Sequence, residues 1–572
     1  MTCGAAQERG RGIASVAEPR MMRLGHRMNG ERSPSGRKAC ARLGLALLLL
    51  LGACAGRGAP PEPAAPPIQA ATGAPVATGV ADTAALPAPD DAIGNLLVGL
   101  KGNERPAAVS LTATGTQAGA PVAATRRAGT EVGYLLIDLE SGRALTELNA
   151  DLTLIPASTA KLATAAVALD VLGPEHRFRT ELLATGTIED GVLRGDLILK
   201  GGGDPSLDVA DLLELVVRLE MSGIRYVEGR FLIDDLALPR LSEIEPTQPG
   251  EAPYNPGVGA LSLAFNRVQV AWRGGGSMRV ATLPPLDEAR FRAAPPSLLP
   301  PGGVELMSAD GDGVVWRVAD RGGRRQAASL PVKDPGLHTG GVFRWLAFAQ
   351  GIEVGPPERA PAPPEARLLA VHDSVPLRHL LRDMLVYSNN MMAELIGLST
   401  ADRLGDVSAG LDAAGALLVG HLARKMPEVD WRGAVLGNHS GLDGAARMTP
   451  RQLAAILHYG WHSHALPALL AAGGWSGTLT NRFADSDQAL RVWAKTGTMH
   501  YGSALAGYLF SDGVRPLVFV TMVSDLGARA AYDDALPHPG RRAEAAAQGW
   551  GSRARALQDE LIESWLAPLP TS

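Results

Sequence analysis

The sequence predicts an α+β protein, because strand patterns and helix patterns are both strong and occur in separate blocks. Residues 134–138 and 144–148 alternate as two strands around a Glu-Ser-Gly turn. Helical patterns cover residues 377–385 and 391–400. Three further strand patterns follow between residues 490 and 523, and a final helical pattern covers 543–566. We expect this last helix to pack against the sheet.

The composition is that of a folded globular protein. The chain has 572 residues, of which 46% are hydrophobic and 20% charged, and its net charge is -5. This length predicts two to four domains, and the composition excludes collagen, a coiled coil and wholesale disorder. The mild acidity argues against nucleic acid as the main partner, because phosphate binding relies on concentrated Lys and Arg.

The positions of the cysteines and the small number of lysines limit the kinds of site that the chain can form. Cys3, Cys40 and Cys54 are the three cysteines, so the chain beyond residue 54 can form neither a disulfide framework nor a cysteine metal site. Only seven of the 54 basic residues are lysines. We therefore expect some of these lysines to occupy positions where Arg cannot serve.

Residues 1–54 have the features of a bacterial export signal. Basic residues precede an apolar run from Leu43 to Leu51, which is too short to span a bilayer comfortably. The run ends in Leu-Gly-Ala-Cys, which resembles a lipobox, so we expect Cys54 to be lipidated and to become the first residue. Ala55 in place of Asp favours the outer membrane, and hence a periplasmic protein tied to the membrane only by its lipid. The alternative is an ordinary signal peptide that is cleaved nearby.

Residues 55–129 are rich in Ala, Pro, Gly and Thr and contain few large apolar side chains. Such a stretch cannot offset its ordering entropy by burial, so we expect a disordered tether. Residues 93–100 are an exception, with the pattern of a short helix or docking segment. The folded part begins near residue 130.

The first candidate for chemistry is a Ser-x-x-Lys motif at the start of a helical pattern. Ser158 precedes the apolar pattern of residues 162–172, and Lys161 lies one turn along the same face. A partly desolvated lysine beside another cation can lose its proton and activate a serine, which Arg cannot do. Alone the motif is weak evidence, because a serine at this position is more often a helix N-cap than a nucleophile.

Two further motifs strengthen this interpretation. Ser388 and Asn390 form Ser-x-Asn between two helical patterns, where a plain helix–helix connection is the alternative. Lys495, Thr496 and Gly497 form Lys-Thr-Gly at the end of a strand pattern. The three motifs occur in this order on a helix, a loop and a strand, which is a specific set. Two of the seven lysines occupy its two lysine positions.

On these motifs the chain resembles the penicillin-binding proteins and serine β-lactamases. It is most similar to the D-alanyl-D-alanine carboxypeptidase/endopeptidase family, the class C low-molecular-mass penicillin-binding proteins. Further segments support this narrower resemblance: Leu199–Leu207, Pro253–Pro256, Gly259–Ser262, Ser440–Leu442 and Ser503–Tyr508. The resemblance implies a transpeptidase-like fold, an antiparallel sheet flanked by helices. It also implies a catalytic domain split into residues 130–180 and 372–572, with one or more β-rich domains inserted at 181–371.

The resemblance also implies roles for the motif residues. Ser158 is the nucleophile that attacks peptidoglycan stem peptides and penicillins, and Lys161 takes its proton. Ser388 and Asn390 bridge Lys161, Lys495 and the substrate. Thr496 and Thr498 hold the substrate carboxylate beside Gly497, and the backbone N–H groups of Ser158 and Thr498 form the oxyanion hole. The resemblance requires no metal and no cofactor.

One departure from the family pattern concerns the edge of the site. The family continues Ser-Gly-Leu with Ser-Arg-x-Asn, but here Gly444 and Ala446 occupy the Arg and Asn positions. Arg447 is a candidate substitute. Two other functions stay open: a β-lactamase or esterase on the same fold, and a non-catalytic lipoprotein that binds the cell wall.

The insert is predicted to contain strands at 193–199 and 226–234 and one amphipathic helix at 210–221. Residues 356–364 are predicted to be a linker that returns to the catalytic domain. Asp234 and Asp235 could suggest a metal pair, but solvation of a strand end is the simpler expectation. His439 is expected to be structural, not a general base.

Overall fold

The computed structural model describes residues 129–566, apart from short gaps at 275–277, 287–288, 301, 311–312, 486–487, 511–514 and 537–539. The predicted signal, Cys54 and the tether therefore lie outside the described residues, except for residue 129. Among the described residues, no helix is both long enough and apolar enough to cross a bilayer.

The helices and strands form four successive blocks along the chain. The first block contains β1 (Glu131–Asp138), β2 (Ala144–Leu148) and α1 (Lys161–Val171). The second contains β3 (Arg179–Ala184), β4 (Thr187–Glu189), β5 (Val192–Arg194), β6 (Leu197–Gly201), α2 (Val209–Met221), β7 (Tyr226–Val227), β8 (Phe231–Asp234) and β9 (Arg267–Arg273). The third contains β10 (Arg279–Leu283), β11 (Ala289–Ala294), β12 (Val304–Asp310), β13 (Gly313–Ala319), β14 (Arg325–Pro331), α3 (Pro335–Ala349), β15 (Pro357–Arg359) and β16 (Arg367–Asp373). The last contains α4 (Leu377–Tyr387), α5 (Asn390–Asp402), α6 (Leu411–Lys425), α7 (Pro450–His464), β17 (Ala471–Ala472), β18 (Val492–Met499), β19 (Gly502–Leu509), β20 (Leu517–Ser524), α8 (Leu526–Asp533) and α9 (Gly540–Leu566).

The largest sheet joins the two ends of the described chain. Its six antiparallel strands have the order β17-β18-β19-β20-β1-β2. Every residue of β19 and β20 is buried, because both faces of the sheet are covered. On one face, α9 packs Trp550, Leu557 and Leu561 against β1 and β20. The predicted terminal helix therefore packs where it was expected.

The other face of this sheet carries a layer of helices built around α1. Residues Lys161 to Leu169 of α1 are all buried, as expected for a helix that is apolar on all sides. Helices α4, α5, α6 and α7 share its hydrophobic core with strands of the sheet. This central position holds the start of α1, and with it the Ser-x-x-Lys motif, against the sheet.

The segment between α1 and α4 forms further sheets. A five-stranded sheet has the order β15-β8-β6-β3-β16, and α2 and α3 bury their apolar side chains against it. The three-stranded sheets β10-β9-β14 and β11-β13-β12 enclose a separate core around Trp272 and Trp316. Strands β4, β5 and β7 form a fourth, small sheet. How these sheets divide into domains stays a prediction.

The insert differs from its sequence-based description in several places, and strands β9–β14 had no predicted bounds. Each of the two predicted long strands is two strands, β5 with β6 and β7 with β8. A second helix, α3, was not predicted because it is largely buried and therefore lacks an amphipathic pattern. Its Gly340 lies so close to Ile233 that an added Cβ would come within 2.6 Å. The predicted linker contains β15, which pairs in parallel with β8.

Candidate active site

Ser158 lies in a tight turn that leads directly into α1. Residues Ala157–Ala160 form a 3₁₀ turn, in which Thr159 Oγ1 donates to the carbonyl of Pro156 at 2.7 Å. Lys161 begins α1, and its Nζ donates to Ser158 Oγ at 3.0 Å. Neither the turn nor α1 has a side-chain cap hydrogen bond. Ser158 is therefore not an N-cap, and its hydroxyl faces the lysine amine.

The connection between α4 and α5 contributes the second motif. Ser388 ends α4 with a left-handed backbone (φ 56°), and Asn389 caps α5 by accepting from the Met392 amide at 3.1 Å. The two neighbouring side chains then point to different lysines. Asn390 Oδ1 accepts from Lys161 Nζ at 2.8 Å, and Ser388 Oγ accepts from Lys495 Nζ at 2.9 Å.

Strand β18 brings the third motif against the turn that contains Ser158. An added Cβ on Gly497 would lie 2.5 Å from the carbonyl oxygen of Pro156, so only glycine allows this approach. Thr496 Oγ1 donates to Thr478 Oγ1 at 2.9 Å, and Thr498 is exposed. The structure thus brings residues of all three predicted motifs together.

The amine of Lys161 is the centre of this arrangement. Besides Ser158 and Asn390, it donates to the backbone carbonyl of Ser440 at 2.8 Å. Asn390 is itself held by a hydrogen bond from its Nδ2 to the carbonyl of Tyr254, at 3.0 Å. Tyr254 belongs to the inserted segment, so the insert takes part in forming the site.

Burial sets the electrostatics of the two lysines. The side chains of Lys161 and Lys495 have no exposed surface. Burial lowers the pKa of Lys161 to about 7, although the nearby carboxylate of Glu394 raises it. Burial also lowers the pKa of Lys495 well below its usual value, and the neighbouring charge of Lys161 lowers it further. Burial, which the sequence analysis expected together with the charge of a neighbouring cation, is therefore the main cause of the lowered pKa of Lys161.

Such a site can activate a hydroxyl near neutral pH. A lysine whose pKa is near 7 is largely neutral above that pH, so its amine can accept the proton of the serine hydroxyl. Within the part of the chain that the structure describes, no group of three or more His, Cys, Asp or Glu side chains is arranged to hold a metal ion.

Three residues that the sequence singled out lie away from the chemistry. His439 is fully buried against Gly397, and burial lowers the pKa of its imidazole to about 3, so it is a neutral packing residue. Asp234 and Asp235 are buried, not solvated at a strand end as expected. Asp235 pairs with Arg359 at 3.1 Å, and Asp234 accepts from the amide of Ala362 at 2.9 Å.

The surroundings of Gly444 and Arg447 show which side chains lie where the sequence departs from the family pattern. The Nη1 of Arg447 donates to the carbonyls of Gly444 and Ala446, both at 2.8 Å, so this arginine supports its own loop. The guanidinium of Arg529 packs over Gly444, where an added Cβ would come within 2.7 Å of it. Arg529, not Arg447, therefore fills the space beside residue 444.

Sequence reasoning missed several groups at the site. The carbonyls of Tyr254 and Ser440 were not predicted, because backbone groups leave no signal of residue type, although both segments had been noted. Glu394 was missed as well. Its signal is a charged residue inside the apolar run of α5, four positions after Asn390.

Comparisons with known proteins are consistent with this geometry. The sequence profile of the family described as "D-Ala-D-Ala carboxypeptidase 3 (S13) family" matches residues 120–538. A D-alanyl-D-alanine carboxypeptidase of an Actinomadura species is 28% identical over 424 residues, which cover 67% of this chain and 75% of that protein. A carboxypeptidase of Mycobacterium tuberculosis is 30% identical over 425 residues, 72% of this chain and 80% of that protein.

Solved structures support the fold. Penicillin binding protein 4 of Haemophilus influenzae superposes with a TM-score of 0.62 at 21% identity, covering 76% of this chain and 96% of that one. The same protein in complex with a novel β-lactam superposes with a TM-score of 0.60. The predicted α+β fold of the penicillin-binding proteins is thereby confirmed.

Proposed function

The chain belongs to the D-Ala-D-Ala carboxypeptidase 3 (S13) family, which confirms the predicted serine D,D-peptidase, and from this premise we propose its substrate and mechanism. The substrate is the D-Ala-D-Ala or cross-linked end of a peptidoglycan stem peptide. The nucleophile is Ser158, and the product of its attack is an acyl-enzyme. The observation that carries the proposal is the buried Lys161 amine within 3.0 Å of Ser158 Oγ.

In the acylation step, neutral Lys161 takes the hydroxyl proton of Ser158 while Oγ bonds to the carbonyl carbon of the peptide. Lys495 and Asn390 orient the substrate, and the backbone N–H groups of Ser158 and Thr498 stabilise the oxyanion. The C–N bond then breaks, and the leaving amine receives the proton through Ser388. The hydrogen bonds from Lys161 to Ser158 and Asn390, and from Lys495 to Ser388, support these roles.

Deacylation returns the enzyme to its starting state. Water attacks the ester carbon, its proton passes to Lys161, and its hydroxyl remains on the product carboxylic acid. The bond from the carbon to Ser158 Oγ breaks, and Oγ recovers a proton from Lys161. Thr496 and Thr498, at the outer end of β18, hold the terminal carboxylate of the substrate beside Gly497.

We also propose that penicillins acylate Ser158, because a β-lactam offers an amide carbonyl to the same nucleophile. Labelling with a fluorescent penicillin should be strong for the parent protein and absent for Ser158→Ala. Equal labelling of both would refute the assignment of Ser158. Rapid turnover of the penicillin, in place of a lasting acyl-enzyme, would indicate a β-lactamase.

The substrate is tested with purified peptidoglycan. The parent protein and Ser158→Ala are incubated with it, and the released peptides are identified by mass spectrometry. Loss of terminal D-alanine identifies carboxypeptidase activity, and loss of cross-linked dimers identifies endopeptidase activity. If neither changes while penicillin still labels Ser158, the proposed substrate is wrong.

We further propose that the protein works in the periplasm, anchored through a lipid on Cys54. The basic residues, short apolar run and Leu-Gly-Ala-Cys of the sequence support this location. An alkyne-labelled fatty acid supplied to expressing cells should label the parent protein but not Cys54→Ser. A soluble, unlabelled parent protein would show that the chain has an ordinary signal peptide.

A further inference from the structure

The carboxyl of Glu394 is buried close to the proposed base and has no role in the mechanism above. Glu394 lies on α5 four residues after Asn390, and its side chain has no exposed surface. One carboxyl oxygen accepts from the amide of His439 and the other from the amide of Ser440, both at 2.9 Å. The carbonyl of that same Ser440 accepts from Lys161 Nζ at 2.8 Å. Ser440 therefore connects Glu394 to the proposed base, Lys161, through two hydrogen bonds.

The surroundings isolate this carboxyl from water. The imidazole of His439 lies against Gly397, one helical turn after Glu394 on α5, where an added Cβ would be 2.1 Å from the ring. On the far side of the turn, Asn438 Oδ1 accepts from the amides of Gly441 and Leu442, at 2.9 and 3.0 Å. The turn of residues 438–442 is thus held from one end by Glu394 and from the other by Asn438.

A proton on Lys161 makes a negative group near this turn favourable. Lys161 from α1 and Lys495 from β18 are two amines buried in one site, and two buried cations without a counter-charge are unfavourable. Among the described residues, Glu394 is the carboxyl whose charge raises the pKa of Lys161, and the buried imidazole of His439 lies beside Gly397 on the helix that carries Glu394. His439 is neutral near pH 7 because burial lowers its pKa. Glu394 is the group that can balance a proton on Lys161, although burial raises its own pKa.

We propose that Glu394 is a positioning residue for the D,D-peptidase reaction: it holds the turn of residues 438–442 so that the Ser440 carbonyl faces Lys161, and it supplies the negative charge that lets Lys161 hold a proton between its two transfers. This inference rests on the proposed function, in which Lys161 is the base. Glu394 thus has two proposed effects, on the geometry of the turn and on the charge near Lys161, and an experiment can distinguish them.

The test is the pH dependence of acylation by a fluorescent penicillin in Glu394→Gln. Acylation needs neutral Lys161, so the rate of the parent protein rises with pH through the pKa of Lys161. Removal of the carboxylate removes a charge that raises this pKa, so the acidic limb should move to lower pH by on the order of one unit. The maximum rate should fall as well, because the amide of Gln cannot accept both backbone hydrogen bonds.

Two variants separate charge from geometry. Asn438→Ala damages the same turn without removing a charge, so it should slow acylation and leave the acidic limb in place. Glu394→Asp keeps the charge on a shorter side chain and should also leave the limb in place. It serves as the test if Glu394→Gln does not fold. The proposal is overturned if the limb is unmoved in folded Glu394→Gln, or if it moves by a similar amount in Asn438→Ala or Glu394→Asp.

The outcomes also distinguish this inference from the proposed function. If the parent protein acylates through Ser158 and the limb does not move in Glu394→Gln, the function stands and the role of Glu394 is wrong. If the parent protein is not acylated at any pH, the proposed function itself fails.

Discussion

Lys161 and Lys200 show how position changes what the same side chain can do. Lys161 is buried and donates to three acceptors, while Lys200 is partly exposed and lies 3.8 Å from Glu181. The side chain of Lys200 is in contact with water. Burial favours the neutral form of Lys161, which the proposed mechanism uses and which an arginine would not supply.

We therefore expect Lys161→Arg to lose acylation, because Arg stays protonated at every accessible pH. General-base catalysis contributes roughly 10²–10⁴-fold, so the second-order rate of penicillin labelling should fall by about that factor. Lys200→Arg is the matched control and should label at the parental rate. Labelling of Lys161→Arg within a few-fold of the parent would exclude Lys161 as the base.

A second prediction for a single residue concerns Gly497. In Gly497→Ala, the new methyl group meets the Pro156 carbonyl and forces β18 away from the turn of Ser158. Overpacking of this kind costs about 1–3 kcal/mol, and we expect both a lower melting temperature and slower acylation. Gly551→Ala on α9 is the control, because an added Cβ there meets nothing within 4 Å. A Gly497→Ala protein with parental rate and stability would contradict this close approach.

At the scale of elements, three helices meet at one buried carboxylate. Asp170 at the end of α1 accepts from Tyr459 and His464 on α7, at 2.7 and 2.8 Å. It also lies 2.9 Å from His421 Nε2 on α6. Burial opposes its charge, but these hydrogen bonds outweigh the burial and lower the pKa of Asp170. The carboxylate thus joins the far end of α1 to its neighbours, away from Ser158.

Asp170→Asn should therefore destabilise the fold without damaging the chemistry. Loss of the charged hydrogen bonds predicts a decrease of about 2–4 kcal/mol in the free energy of unfolding, measured by urea denaturation at pH 7. The acylation rate of the folded variant should stay within about twofold of the parental rate. Asp373→Asn removes an exposed ion pair with Arg179, which water screens, and should lower the free energy of unfolding far less. Equal effects of the two variants would refute the role of Asp170.

The elements also show which parts of the fold a sequence can predict. The helices and the strand that carry the three motifs follow from clear alternation or periodicity, and their observed bounds differ from the predicted ones by a few residues. Helix α3 was missed because burial on most sides removes the amphipathic pattern. Strand β15 was missed because its three residues, Pro357–Arg359, pair only through contact with distant β8. A sequence pattern predicts a helix or strand when one face is buried and the other is exposed. The pattern is lost when the element is buried on most sides, or when only pairing with a distant strand defines it.

The same limit applies to the site. Ser158, Lys161 and Lys495 were predicted because Ser-x-x-Lys, Ser-x-Asn and Lys-Thr-Gly occur in a specific order. The small number of lysines in the chain supported this prediction. Glu394 and the carbonyl of Tyr254 were not, since a buried carboxyl and a backbone oxygen acquire their roles only through tertiary contacts. Motifs therefore predict the reacting groups, and the structure shows which other groups contact them.

At the scale of the whole molecule, the insert and the catalytic residues depend on one another. The carbonyl of Tyr254 orients Asn390, which in turn accepts from Lys161. Asn255, the next residue, is fully buried and exchanges two hydrogen bonds with the backbone of Glu245, at 2.8 and 2.9 Å. These bonds fix the loop that presents the Tyr254 carbonyl, although Asn255 contacts no group of the proposed mechanism.

We accordingly predict that Asn255→Ala slows acylation. Loosening of the Tyr254 carbonyl weakens one hydrogen bond to Asn390, worth about 1 kcal/mol, so the rate should fall roughly fivefold. Thr339→Ala is the matched control: Thr339 is also fully buried in the insert, but its hydroxyl donates to the carbonyl of Pro335 within α3. Melting temperatures should fall in both variants, because each loses a buried polar contact. Only Asn255→Ala should lose rate, and a parallel loss in Thr339→Ala would mean that general destabilisation of the insert, not the Tyr254 carbonyl, controls the site.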